Sequence, residues 1–413
     1  MAATIRTLFL IILTIFSFQN SNGFCLTDNL LDQNPADTTS DTEETIRIGY
    51  GDKGFELSTS DGNYKLQIQS RVQIRYAYPF DTDPVTYSDF QRKETQTFKV
   101  NRARLKIGGN AFKPWFKFFW EYELASGNLL DFRLMLEKFE FLRLKAGQWK
   151  IHYNRERIIS SGQQQTLDRS ILTRPFTIDR QQGISIYGRL KDDGIVDFNY
   201  WFDVLTGTGR GSSSNDDDNL MLMSRLQWNC FGEELDFSGS DLEYHETPAG
   251  LIALAGVTNQ SPYTRFSQSG GGQLEGFEDG EPGQYRVNQF LVETALMFKG
   301  FSWQQEFHWK EIDDKKNLEI TTLLGNYVQF GYFFHYLLDE IPEQLELAFR
   351  YAVYDPDRNV PDDKRNEYSL DMNWFFKGHL NKLTAEISYL NLQRSLNDIV
   401  DGFRFRLQWD VSI

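Results

Sequence analysis

The chain has two cysteines in 413 residues, Cys25 and Cys230, too few for a disulfide framework. Its five histidines, at 152, 245, 308, 335 and 379, are scattered without the spacing that a bound metal requires. No G-x-S-x-G or P-loop pattern occurs. Ser160-Ser161-Gly162 lies close to His152, but nearness in sequence alone does not pair a nucleophile with a base. The expectation is therefore a protein with no catalytic site, cofactor or metal. Positive charge is outnumbered too: a net charge of −15 argues against general nucleic-acid binding. Beyond Phe18 no apolar run approaches the roughly 18 residues that a membrane-spanning helix needs. A membrane location would have to be built from strands.

The one continuous apolar run is N-terminal. Arg6 precedes the eleven residues Leu8 to Phe18, and the small, polar stretch Gln19 to Gly23 follows. A basic start, a short apolar segment and a small-residue exit predict a secretory signal over residues 1–23. Phe24 stands before Cys25 where a lipid-modified cysteine would want a small neighbour. Residues 24–45 are acidic and polar, with little to bury, and read as a flexible linker.

From residue 46 onward the dominant signal is alternation. Phe116, Phe118, Trp120, Tyr122 and Leu124 share one face of an extended run, with Lys117, Phe119, Glu121 and Glu123 on the other. Leu134 and Leu136 alternate with Arg133 and Glu137, and Leu142 and Leu144 with Arg143 and Lys145. Such strands need one face against something apolar and the other wet. The apolar face could pack a soluble core, as in a secreted β-rich protein that binds carbohydrate, or it could face lipid in a transmembrane barrel. Aromatics reach 15%, as interfacial girdles or packed cores would require. Further strands are expected at 64–76, 183–190, 195–204, 220–231, 251–258, 289–298, 301–312, 327–337, 344–354, 367–376 and 382–392. The last, Phe403 to Ile413, alternates strictly to the chain end. A soluble sheet seldom leaves so loaded an edge unpaired, whereas a barrel closes it against the first strand. The reading is an all-β, antiparallel up-and-down transmembrane barrel over residues 46–413. His152 to Gln182 interrupts the alternation, carries five arginines and is too long for a hairpin turn, so it is expected to fold inward.

Charge is unevenly spread. Residues 64–190 hold 22 Lys and Arg against 12 Asp and Glu, whereas residues 191–413 hold 18 against 37. Inward-pointing cations bias a pore toward anions. The candidate pore-lining residues are Arg71, Arg75, Arg102, Arg104, Lys106, Arg143 and Lys145 on strands, with Arg155 and Arg157 in the long interruption. Phe98 and Val100 share the parity of Arg102, which a β-bulge or the strand's emergence above the membrane would resolve. The alternative is lumen charge neutralised by neighbours such as Glu121, Glu123 and Glu137, with no solute preference.

From about Lys53 to the C-terminus the chain resembles the phosphate-selective porin O and P family of Gram-negative outer membranes. The resemblance rests on Asp61-Gly62 with Tyr64-Lys65-Leu66, on Arg71-Val72-Gln73, on Arg102-Ala103-Arg104-Leu105 and on Gly147-Gln148-Trp149-Lys150. Glu156-Arg157, Asp168-Arg169-Ser170, Arg180-Gln181-Gln182-Gly183-Ile184, the run Gly325 to Tyr332, Arg350-Tyr351 and Asn373 to Phe376 follow in order. Asn101, Ser70 and Ile151-His152 depart from the family pattern. The resemblance implies about sixteen strands, a homotrimer in outer-membrane lipid, a constriction loop within 152–182, and diffusion of small anionic solutes such as phosphate.

Overall fold

The computed structural model describes residues 46–413 apart from 193, 213, 268–270 and 396–397, so the expected signal and linker lie outside the described residues. Two short strands, β1 (Ile46–Gly51) and β2 (Gly54–Thr59), pair as a hairpin. Sixteen strands follow. They are β3 (Lys65–Tyr78), β4 (Thr97–Asn110), β5 (Phe116–Glu123), β6 (Asn128–Leu136), β7 (Arg143–Lys150), β8 (Arg180–Lys191), β9 (Asp197–Leu205), β10 (Met221–Asn229), β11 (Ala249–Ser261), β12 (Tyr285–Phe298), β13 (Phe301–Asp314), β14 (Glu319–Tyr332), β15 (Leu345–Asp355), β16 (Arg365–Lys377), β17 (Asn381–Ser395) and β18 (Asp398–Ser412).

Each of these strands pairs antiparallel with the next, and β18 pairs with β3 from Phe405↔Tyr78 to Ser412↔Arg71. Reciprocal backbone bonds of 2.7 and 2.8 Å between Ser70 and Ile413 finish the seam. The loaded terminal strand is thus an interior strand of a closed sixteen-strand ring, and no edge is left open. The hairpin β1–β2 stays outside the ring, attached through Phe55↔Ile68 to Ser58↔Lys65. A soluble two-layer core is not what these strands build, which removes the secreted-protein alternative.

The period-two pattern sorts onto the two sides of the wall. Ile184, Leu226, Ile252, Leu370 and Ile387 are exposed on the outside, while Arg225, Glu293, Glu367 and Arg404 are buried within. Tyr351, Tyr368, Tyr389 and Phe403 stand in register on β15–β18, with ring centroids 4.8, 6.2 and 4.9 Å apart. Such a row of aromatics is what an apolar–aqueous interface selects. No described helix is long and apolar enough to cross a membrane.

The ambiguous parity in β4 is resolved by a bulge. Gln73 pairs with Arg102 and Ile74 with Val100, leaving Asn101 as the extra residue. The phase therefore flips there, with Phe98 and Val100 exposed outside and Arg102 and Arg104 turned inward. One expected strand is displaced: β14 begins eight residues before Tyr327 and ends at Tyr332, with a short 3₁₀ turn at Phe334–Tyr336 beyond it. Its inner face carries Leu323 and Tyr327, both fully buried, so the alternation of apolar with polar is lost there.

Candidate solute passage

The segment between β7 and β8 enters the barrel instead of arching over its rim. Its backbone is received by carboxylates on the far wall. The N–H groups of Arg155, Glu156, Leu167 and Ile171 donate to Glu293 (2.9 Å), Glu306 (2.7 Å), Asp371 (2.9 Å) and Glu367 (2.9 Å). Far-wall cations take its carbonyls: Lys310 donates to Pro175 at 2.7 Å, and Lys382 to Gln164 at 2.6 Å. On the near side, Arg71 donates to the hydroxyls of Ser160 (2.8 Å) and Ser161 (2.7 Å). Apolar residues complete the anchorage, with Ile151, Tyr153, Leu172 and Phe176 buried among Leu291, Leu323 and Tyr327. Gly325 is required at this contact, because a Cβ there would lie 2.5 Å from the Phe176 ring.

This docking divides the lumen. On the far wall Glu293, Glu306, Glu346, Glu367, Asp371 and Glu386 are at most 1% exposed, spent on the inward segment or on arginines. Arg225 and Glu293 pair at 2.8 Å, and Arg406 and Glu386 at 2.7 Å. On the near side water still reaches the side chains of Asp168 (26%), Arg133 (24%), Arg102 (18%) and Arg157 (14%). Lys106, Arg143 and Lys150 are partly exposed beside them. The lumen carboxylates of the far wall are therefore hidden, and the accessible near wall is basic.

The expected residues occupy distinct places on that wall. Arg102 and Arg157 come together with Arg169, Arg174 and Arg265 around a cleft of about 300 Å³, where Asp83 and Asp168 are the acidic members. Arg75 lies behind it, buried, bonded to Asp81 at 3.2 Å and to Asp168 at 3.0 Å. Burial alone would raise the Asp168 carboxyl, but Arg102 and Arg75 hold it well below the usual carboxylate range. Arg157 is oriented by Asp179 through Nε at 2.9 Å, and Arg169 by the carbonyls of Glu156 (3.0 Å) and Ile159 (2.8 Å). Arg104 bridges Glu121 at 2.9 Å and Glu123 at 2.8 Å. Among the described residues the side chains of Lys106, Arg143 and Lys145 make no hydrogen bond or ion pair; Lys145 lies over the rings of Tyr187 (4.6 Å) and Trp149 (5.1 Å).

Arg71 and Arg155 stand apart. Arg71 is consumed by the two serines, and Arg155 is turned to the carbonyls of Asp236 and Ser238, the latter at 3.1 Å. Arg169, Arg174 and Arg265 were not among the expected lining residues. The arginine density of 152–182 signalled the first two, whereas Arg265 lies in a polar connection whose arrival at the cleft only the fold reveals.

The family model described as phosphate-selective porin O and P matches residues 71–409. Several solved structures share the fold. The anion-selective porin from Comamonas acidovorans has 11% identity and a TM-score of 0.55, covering 84% of this chain and 99% of that one. OmpT of Vibrio cholerae in its trimer form has 10% identity and a TM-score of 0.52, covering 84% and 99%. Pseudomonas putida OprB has 9% identity and a TM-score of 0.53, covering 86% and 95%. No curated protein sequence matches the chain.

Proposed function

The chain belongs to the phosphate-selective porin O and P family and is a porin of the outer membrane; we propose that it passes small anions, phosphate among them, along the basic wall of β4–β7. One observation carries this reading. The lumen carboxylates of β12–β17 are buried under the inward segment, while Arg102, Lys106, Arg133, Arg143 and Arg157 keep contact with water. A partly dehydrated anion entering at the cleft meets Arg102 and Arg157, whose forked N–H groups match a tetrahedral oxyanion. Lys106 and Arg143, which have no acidic partner at bonding distance, then offer charge farther along, whereas Lys145 is buried against Tyr187 and Trp149. Arg71, Arg75 and Arg155 act on the passage indirectly, by setting where the inward segment lies, and that segment narrows the pore.

The exposed outer wall and its aromatic row suit outer-membrane lipid. The assembly we propose is a homotrimer, in keeping with the trimer form of OmpT. The test is conductance in planar bilayers with chloride alone and with added phosphate. Discrete steps that phosphate reduces are expected, and the reduction should weaken in Arg102→Ala with Arg157→Ala. Equal currents with and without phosphate would remove phosphate from the reading.

A further inference from the structure

The rim that carries Lys65 and Ser412 has connections of two to twelve residues, with one exception. Between β10 and β11 the chain runs for nineteen residues, 230–248. This connection does not hang from the rim. It turns into the lumen and meets the inward segment from the opposite end.

The contacts between the two are specific. Arg155 donates to the carbonyls of Asp236 and Ser238, and its guanidinium lies 5.3 Å from the Phe237 ring centre. Gly239 donates its N–H to the Gln163 carbonyl at 3.0 Å. A Cβ at Gly239 would lie 2.5 Å from the backbone nitrogen of Gln165, so only glycine permits this approach. Glu346 is gripped from both sides, accepting from Ser240 at 2.8 Å and from Gln165 at 2.6 Å. The wall is shaped for the visitor: Leu235, 2% exposed, sits on a lumen patch of Ala249, Leu251, Ala253, Ala295 and Met297. A water-filled pore has no use for such a patch, and its small residues make room for a covering segment.

We propose that residues 230–248 form a second seal that sets ion selectivity. Together with the inward segment they close the acidic side of the lumen, so that ions are confined to the basic side. Without the seal, water would reach Glu346 and, beyond it, Glu293 and Glu306, adding a route lined by carboxylates. The inference rests on the anion-passage reading above.

The experiment replaces residues 233–246 with an Asn-Gly turn; the β10–β11 ladder, paired through Asn229↔Leu251, is left whole. A milder variant, Leu235→Asn, unseats the segment without shortening it or changing its charge. Both are reconstituted in planar bilayers, with heat-modifiable mobility showing that the barrel has formed. Single-channel conductance is expected to rise roughly twofold and the anion-to-cation permeability ratio to fall, because added open area now bears negative charge. Unchanged conductance and ratio in a folded variant would overturn the proposal. A higher conductance at constant ratio would overturn its selectivity part. Leu235→Asn keeps the six carboxylates of 233–246 that the shortened chain loses, so it reads the ratio free of that charge change, and it gives both readings if the shortened chain does not fold. An intact protein that prefers cations would sink the anion-passage reading, while the conductance step on removing the seal would still report the seal.

Discussion

At the scale of single residues, this lumen is governed by which charges have partners. Arg225 and Glu293 are fully buried and joined by two bonds of 2.8 and 2.9 Å, so removing one leaves an uncompensated ion. Arg225→Ala is expected to lower stability by about 3–5 kcal/mol, read from the urea midpoint in lipid vesicles. A loss under about 1 kcal/mol would mean that the pair is solvated. Asp168 is the converse case, a carboxylate that partly neutralises Arg75 and Arg102 at the mouth of the cleft. Asp168→Asn should raise anion preference by about twofold to threefold, the effect of one unit charge at about 7 Å in water. The pH dependence follows from its depressed pKa. The ionised form is favoured in the folded protein, so the pairs persist down to the ordinary carboxylate value of about 4 and are lost only below it. Wild type and variant should therefore stay distinct from pH 7 to pH 4.5; convergence within that window would contradict the assignment. Alternation in the sequence placed Arg102 and Arg104 on the lumen side once a bulge was allowed. It could not tell that Arg71 meets Ser160 and Ser161 or that Arg155 meets residues 236 and 238, because period two reports a face and not what lies opposite.

At the scale of elements, legibility depended on what covers the inner face. Strands whose lumen side is largely polar, such as β3 and β9, alternate apolar with polar residues, and the expected 64–76 and 195–204 lie within two residues of the observed bounds, whereas β18 starts five residues before the expected Phe403. Alternation is lost where an inward segment docks through apolar contacts; where it docks on carboxylates, as on Glu293, Glu306, Glu367 and Asp371, the inner face stays polar. β14 buries Leu323 and Tyr327 under residues of the β7–β8 segment, and its start was missed. β11 buries Leu251, Ala253 and Val257, and was read short at both ends for the same reason. The loss of alternation is itself a signal of a docked segment, once a barrel is known. Gly325 tests this packing. Gly325→Val should displace Phe176 and cost about 1–3 kcal/mol by overpacking, with partial rescue by Phe176→Leu in the double variant. Strictly additive effects of the two changes, from a double-mutant cycle on urea midpoints, would show that the two sites do not touch.

At the scale of the whole molecule, the closed ring explains how a chain of net charge −15 can present a basic interior path. The acidic second half supplies the wall on which the inward segment docks, and the basic first third supplies the wall that is left open. Composition alone hides this, and the local charge count hints at it. Only the topology shows that the carboxylates are buried by the segment between β7 and β8 and the connection between β10 and β11. The direct test is the reversal potential of the intact, reconstituted protein across a KCl gradient at neutral pH. A potential displaced toward the chloride equilibrium value is expected. One displaced toward the potassium value, or none at all, would contradict the account.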